Sequence, residues 1–149
     1  MKHILDSQKQ NITILSFTSW LGKIFEEEIA EKIDNKLICQ RAVRYILLTL
    51  SVNDGVSQND IVRSTFLKGS TISIALNKME KDGLVARVSD SYDQRLVRVY
   101  LTEKGETYKN KIDEIMSEIS KMALKGISEK DEKIAFDVIY KMIQNFYKK

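Results

Sequence analysis

The chain has 149 residues, which suits one domain of ordinary size, and its 43% apolar content is enough to bury a core. Its 24 basic and 21 acidic side chains leave a net charge of +3, which permits an acidic partner without requiring one. The single cysteine, Cys39, cannot form an internal disulfide, and no apolar run approaches the ~18 residues that span a membrane. The opening MKHILDSQKQ is too polar for a signal peptide. We therefore predict a cytoplasmic protein that does not enter the membrane.

Two amphipathic helices are predicted in the first third of the chain. From about Ile12 to Ile33, apolar residues recur every three or four positions, which is the period of a helix with one buried face. A second helix is predicted from about Ile38 to Ser51, ahead of the turn signal at residues 53–55 (NDG).

The next segment predicts two short helices joined by a brief turn. In VSQNDIVRST, Ser57 and Asp60 have the spacing of a capping box, and in STISIALNKMEKDG an apolar stripe ends at Gly83, a residue suited to a left-handed helix end. The outward face of the second helix consists of Ser70, Thr71, Ser73, Ile74, Asn77, Lys78 and Lys81. Such a pair fits a helix-turn-helix, but an ordinary helical hairpin with a solvated face fits it equally well.

Two alternating segments after these helices favour the helix-turn-helix. LVARVSD and LVRVYLT both have the period of two that is typical of strands, and the segment 91–94 between them is turn-forming. An isolated hairpin is marginal, so this one should lie against the helices, with Arg95 near its tip and Arg87 and Arg98 on its strands. Thr102 and then Ser128 should cap two further amphipathic helices.

Three short motifs in this order resemble the MarR family of winged-helix transcriptional regulators. The motifs are GLV at 83–85, DQR at 93–95 and LTEKG at 101–105, and the resemblance covers about residues 37–110. It implies a mainly α (α+β) fold in a single domain, 1–149. The winged helix-turn-helix, with its two-stranded wing, would occupy about 37–101. Residues 1–36 and 102–149 would form the helical dimerisation region.

The resemblance also implies a function and a set of site residues. Members of this family are homodimers that place the second helix of the motif in the major groove of double-stranded DNA and the wing in the adjacent minor groove. The implied contacts are Ser70, Thr71, Ser73, Ile74, Asn77 and Lys78 on the reading helix, and Arg87, Asp93, Arg95 and Arg98 on the wing. The expected function is sequence-specific regulation at a pseudo-palindromic operator, as a repressor that a small-molecule effector releases.

Several details of this prediction stay open. Many family members carry a basic residue at the position of Ile74, whose apolar side chain can meet a thymine methyl or can face protein. The alternative function is therefore a winged-helix module that binds protein without specific DNA binding. Phe17, Trp20 and Tyr45 can line a pocket for a small aromatic effector, or they can be plain core.

An enzyme is the competing class, and the sequence offers little for it. The only histidine is His3, no Cys or His cluster has metal-ligand spacing, and no phosphate-binding loop or nucleophile with its base can be identified. Cys39, at the start of an apolar helix, is more typical of a small core residue than of an oxidant sensor. We therefore expect no catalysis, no cofactor and no metal.

Overall fold

The computed structural model describes residues 13–91, 93 and 96–147. Within them the helices are α1 (Ile14–Lys32), α2 (Arg41–Val52), α3 (Gln58–Thr65), α4 (Gly69–Lys81), α5 (Glu103–Ala123) and α6 (Glu129–Tyr147), and the strands are β1 (Val56–Ser57), β2 (Val85–Ser89) and β3 (Val97–Leu101). The predicted order of helices, hairpin and helices is confirmed.

A compact core lies among α2, α3, α4 and the strands. The three helices contact one another, while β2 packs on α4 and β3 on α2. The buried apolar side chains of this core include Val43, Ile46, Leu47, Leu50, Ile61, Ile72, Leu76, Met79, Leu84, Val85 and Val99. They stand at helical spacing on the helices and face inward from the strands, so the sequence pattern and the packing agree.

The start of α3 is held by the predicted capping box. The Ser57 hydroxyl accepts a hydrogen bond from the Asp60 amide at 3.2 Å, and the Asp60 carboxylate accepts one from the Ser57 amide at 3.2 Å. Hydrogen bonding from the Ser57 side chain is the main reason that the pKa of Asp60 is lowered below its ordinary value. At the other end of α3, Phe66 adopts the left-handed conformation (φ 56°), which turns the chain toward α4.

The sheet has three antiparallel strands in the order β1-β3-β2, and it corrects one detail of the prediction. Residues 85–89 pair with 97–101 as the predicted hairpin, whereas Val56 pairs with Val99 to add a third strand that was not predicted. β1 has only two residues, and a strand this short shows no alternating pattern by which it could be predicted. Its pairing fixes the hairpin to the start of α3.

The structure shows a physical reason for glycine at two positions of the family motifs, Gly83 and Gly105. Gly83 has φ 69°, and this left-handed residue lets the Leu84 amide donate to the Met79 carbonyl at 2.8 Å, which ends α4. A Cβ on Gly105 would lie 2.1 Å from the carbonyl oxygen of Leu84, so no larger residue fits there without a backbone shift. The first turn of α5 therefore packs directly on the backbone between α4 and β2.

The described part of the chain divides into two compact units, with the boundary between Met116 and Ser117. In the first, the buried guanidinium of Arg44 joins α1 to α2 by pairing with Glu26. In the second, Ser128 caps α6 as predicted, accepting from the Asp131 amide at 3.2 Å. No residue of α6 is buried among those that the structure describes.

Candidate nucleic-acid interface

The outer face of α4 is polar and solvent-accessible. Ile72, Ala75, Leu76 and Met79 are buried, which fixes the rotation of the helix about its axis. Of the six residues predicted to read DNA, Ser70, Thr71, Ile74, Asn77 and Lys78 are exposed and Ser73 is half-buried. The face therefore offers hydroxyls, an amide, an ammonium group and one apolar side chain, which are groups that can meet base edges and phosphates.

Arg87 on β2 connects the hairpin to this helix. Its Nη2 donates to Asn77 Oδ1 at 2.7 Å, and its Nε lies 3.7 Å from Glu80 Oε2, beyond hydrogen-bond distance. The guanidinium therefore spans two successive turns of α4. On α4 itself, the Lys78 ammonium donates to the Gln40 side chain at 3.4 Å.

Arg98 is held at the base of the hairpin. It pairs with the buried carboxylate of Asp90 and donates from Nη1 to the Gly55 carbonyl at 2.9 Å. The hydrogen bond with Asp90 raises the pKa of Arg98 above its ordinary value. The Asp93 amide also donates to Asp90 Oδ1 at 3.0 Å, so a single carboxylate organises both sides of the turn. Arg98 thus braces the wing against the turn that precedes β1.

Asp90 and Gly55 were missed at the sequence level. Asp90 lies eight residues before Arg98 in the chain and Gly55 lies 43 residues before it, so neither spacing marks a contact. The pairing of Val88 with Arg98 in the sheet places the Asp90 carboxylate near the guanidinium. The contact between Arg98 and Asp90 could be predicted only from the strand register, which the sequence does not specify.

The remaining wing residues divide between described and undescribed positions. Asp93 is exposed, whereas Arg95 lies outside the described residues, together with Tyr92 and Gln94. The role of Arg95 at the wing tip therefore stays a prediction.

The three aromatic residues predicted for an effector pocket lie on two helices, Phe17 and Trp20 on α1 and Tyr45 on α2. Phe17 and Trp20 form an edge-to-face pair on α1, with ring centroids 5.7 Å apart. Tyr45 instead lines a cavity of about 320 Å³ beside the turn between α3 and α4, and neither Phe17 nor Trp20 lines it. The other residues that line this cavity are Leu48, Thr49, Ser64, Thr65 and Phe66.

Two features that would point to other classes of protein are absent from the described residues. No helix in that part of the chain is long and apolar enough to cross a membrane. No group of three or more His, Cys, Asp or Glu side chains within it could hold a metal ion. Cys39 is half-buried, and its thiol donates to the Ile33 carbonyl at 3.3 Å.

Comparisons with known proteins agree with this architecture. The MarR family model matches residues 40–96. The transcriptional regulator TtmR of Methylorubrum extorquens is 37% identical over 68 residues, which is 46% of this chain but only 35% of TtmR. SarZ, a transcriptional regulator of Staphylococcus saprophyticus, is 31% identical over 105 residues, covering 70% of this chain and 67% of SarZ. The crystal structure of the regulator PcaV from Streptomyces coelicolor, in complex with its natural ligand, superposes with a TM-score of 0.79 at 17% identity, covering 88% and 92% of the two chains.

A polar helix face held beside a braced β-hairpin is the arrangement of a winged helix-turn-helix protein. The chain belongs to the MarR family of transcriptional regulators.

Proposed function

We propose that this protein is a homodimeric, sequence-specific repressor that binds a pseudo-palindromic DNA operator in the cytoplasm and is released by a small aromatic effector. The observation that carries the proposal is the exposed polar face of α4 beside the wing. With α4 in the major groove, its side chains would reach base edges, and the hairpin would follow the backbone toward the minor groove.

Exposed apolar side chains support the dimer. They are Ile14, Leu15, Phe17, Trp20, Leu21 and Ile24 on α1, and Ile134, Phe136, Val138, Ile139, Tyr140, Ile143, Phe146 and Tyr147 on α6. An exposed apolar face, such as each of these helices carries, is characteristic of an interface. A second copy of the chain would remove it from water, and two-fold symmetry would then set the two reading helices about one turn of DNA apart, ~34 Å.

The chain contains one tryptophan, which makes effector binding measurable. Trp20 is exposed beside Phe17, so a ligand that contacts this pair should change the tryptophan fluorescence. We expect titration with a panel of small aromatic compounds to quench or shift that emission and, for the same compounds, to weaken DNA binding.

The salt dependence of binding tests the proposal directly. Because Lys, Arg and backbone amides would contact phosphates, each contact should release counterions, with a slope of roughly 0.9 in a log-log plot. A dimer with about six such contacts should lose about a thousandfold in affinity between ~50 and ~200 mM salt. The measurement is a titration of the full chain against genomic fragments that it selects and against a scrambled duplex.

Arg95→Ala sharpens this test at the wing. Its loss should weaken A·T-rich sites together and lower the salt slope, leaving the sequence preference largely intact, because a guanidinium in a narrow groove responds to shape and potential. Lys23→Ala is the matched control, since it also removes one positive charge but lies on α1, where its side chain is exposed.

The alternative, a module that binds protein, is favoured by one observation. Ile74 is 59% exposed at the centre of the reading face, where an apolar side chain would suit a protein partner. A salt response that stays flat, with equal binding to selected and scrambled duplexes, would establish this alternative over the proposal.

A further inference from the structure

One hydrogen bond joins the wing to the reading helix, and it decides which chemical group the helix presents. We propose that Arg87 is a positioning residue that holds the Asn77 amide with its NH₂ group outward, so that the protein specifies guanine at the base pair facing Asn77. The inference rests on the proposed DNA binding, and it assigns the specificity of that same site.

The polarity of the bond follows from the chemistry of the guanidinium. Arginine carries only N–H donors, so the Asn77 atom that lies 2.7 Å from Nη2 must be the carbonyl oxygen and not the amide nitrogen. A bond from a charged donor is shorter and stronger than one between neutral groups. Among the described residues, no acceptor receives a hydrogen bond from the Asn77 nitrogen, so its two N–H groups remain available at the exposed face.

The side chain of Arg87 is itself held in place, so the position of its guanidinium is well defined. Its side chain is only 25% exposed, it projects from a residue paired with Val99 in the sheet, and the Glu80 carboxylate lies 3.7 Å from its Nε. This Nε is buried and makes no hydrogen bond with a described residue. The nearby carboxylate offsets the charge of Arg87, which makes it a poor phosphate contact and a suitable anchor for the amide.

Base edges in the major groove distinguish the two orientations of an amide. Adenine is read by an amide that donates to N7 and accepts from N6, which requires the Asn77 oxygen that Arg87 already engages. Guanine shows two acceptors, N7 and O6, and needs only donors. An amide with its oxygen turned inward therefore favours guanine, where an unrestrained asparagine would favour adenine.

The test is the affinity of the full chain for its selected duplex and for variants in which each base pair of one half-site is replaced in turn. For the unmodified protein we expect one base pair at which guanine is preferred over adenine by about 5- to 150-fold, the range that a good base contact supplies. Asn77→Ala should abolish that preference. Asn77→Asp, which can still pair with Arg87 but cannot donate, should also abolish it.

Arg87→Ala provides the decisive result, because it frees the amide to rotate. We expect the preference at that one base pair to move from guanine toward adenine, whereas preferences elsewhere in the half-site stay unchanged. Arg87→Lys, which restores a donor, should return part of the guanine preference. Lys23→Ala should change no preference, and melting temperatures of all variants identify any that fail to fold.

Four outcomes would overturn the inference. An adenine preference in the unmodified protein that Asn77→Ala removes would mean that the amide is read in the opposite orientation. If Arg87→Ala weakened all duplexes equally and lowered the salt slope by about one, Arg87 would be a phosphate contact. Specific binding that is unchanged by Arg87→Ala would remove its positioning role alone, whereas the absence of any specific, salt-dependent binding by the unmodified protein would overturn the proposed function as well.

Discussion

The two helices α4 and α6 have similar apolar stripes in sequence and opposite surroundings in the structure. α4, with 13 residues, buries Ile72, Ala75, Leu76 and Met79 within its own unit. α6, with 19 residues, buries none, and Phe136 on it is 66% exposed. An apolar stripe therefore predicts which face of a helix will be covered, but it does not predict whether the cover comes from the same chain.

Because they differ in burial, α4 and α6 contribute to the protein in different ways. Burial in the chain's own core contributes about 25 cal/mol for each Å² of apolar surface, and it fixes the face that α4 presents to solvent. No described residue of α6 is buried, so its exposed apolar side chains form a face that the proposed dimer would cover. The core of α2, α3, α4 and the strands should thus be stable by itself. The stability that α6 gains from a second copy should depend on protein concentration.

The largest expected effect comes from a substitution at Gly105, where α5 packs closely on the backbone of Leu84. Gly105→Ala should lower the free energy of unfolding by ~3 kcal/mol or more, because the new Cβ would lie 2.1 Å from the Leu84 carbonyl oxygen, and backbone cannot yield cheaply. Gly22→Ala in α1 is the matched control, since nothing lies within 4 Å of its added Cβ. The control should gain about 0.5 to 1 kcal/mol from helix propensity. Equal melting temperatures for the two variants would contradict the packing at Gly105.

The next prediction compares the two helices directly. Leu76→Ala removes a side chain that is 0% exposed and should cost ~2 to 5 kcal/mol at every protein concentration. Ile139→Ala, on α6, should lower the melting temperature by an amount that shrinks as concentration rises, because binding of a second copy stabilises by mass action. Thermal melts across a hundredfold range of concentration make the comparison. A concentration-independent effect of Ile139→Ala, with sedimentation giving a 17.2 kDa species, would rule out the proposed dimer interface.

The smallest expected effect concerns the cap of α3. Ser57→Ala should cost about 1 kcal/mol at neutral pH, because it removes one half of the capping box. The fold lowers the pKa of Asp60, so the stabilisation from its carboxylate is present above the unfolded pKa of about 4 and is lost as pH falls through the lower folded value. The difference in unfolding free energy between the two proteins should therefore narrow below about pH 4, as measured by urea melts at several pH values. A constant gap from pH 7 down to pH 2 would show that Asp60 does not contribute through its charge.

Features governed by neighbours along the chain were predictable from the sequence. The Ser57 capping box, the left-handed end at Gly83 and the caps at Thr102 and Ser128 all appear as predicted. Each involves residues within about three positions of one another, so the local sequence contains both partners. The same holds for the outward face of α4, because the apolar period of a helix fixes which side chains are left outside.

The contacts that decide how the site works join distant parts of the chain, and only the tertiary structure reveals them. Arg98, for which a DNA contact is predicted, has its guanidinium held by Asp90 and the Gly55 carbonyl, and the sequence marks neither partner. Arg87 reaches Asn77 only because β2 packs on α4. A sequence shows that an arginine is present and on which face it lies. Which acceptor it meets depends on strand register and on how helices and strands pack, and those follow from the core as a whole rather than from any local pattern.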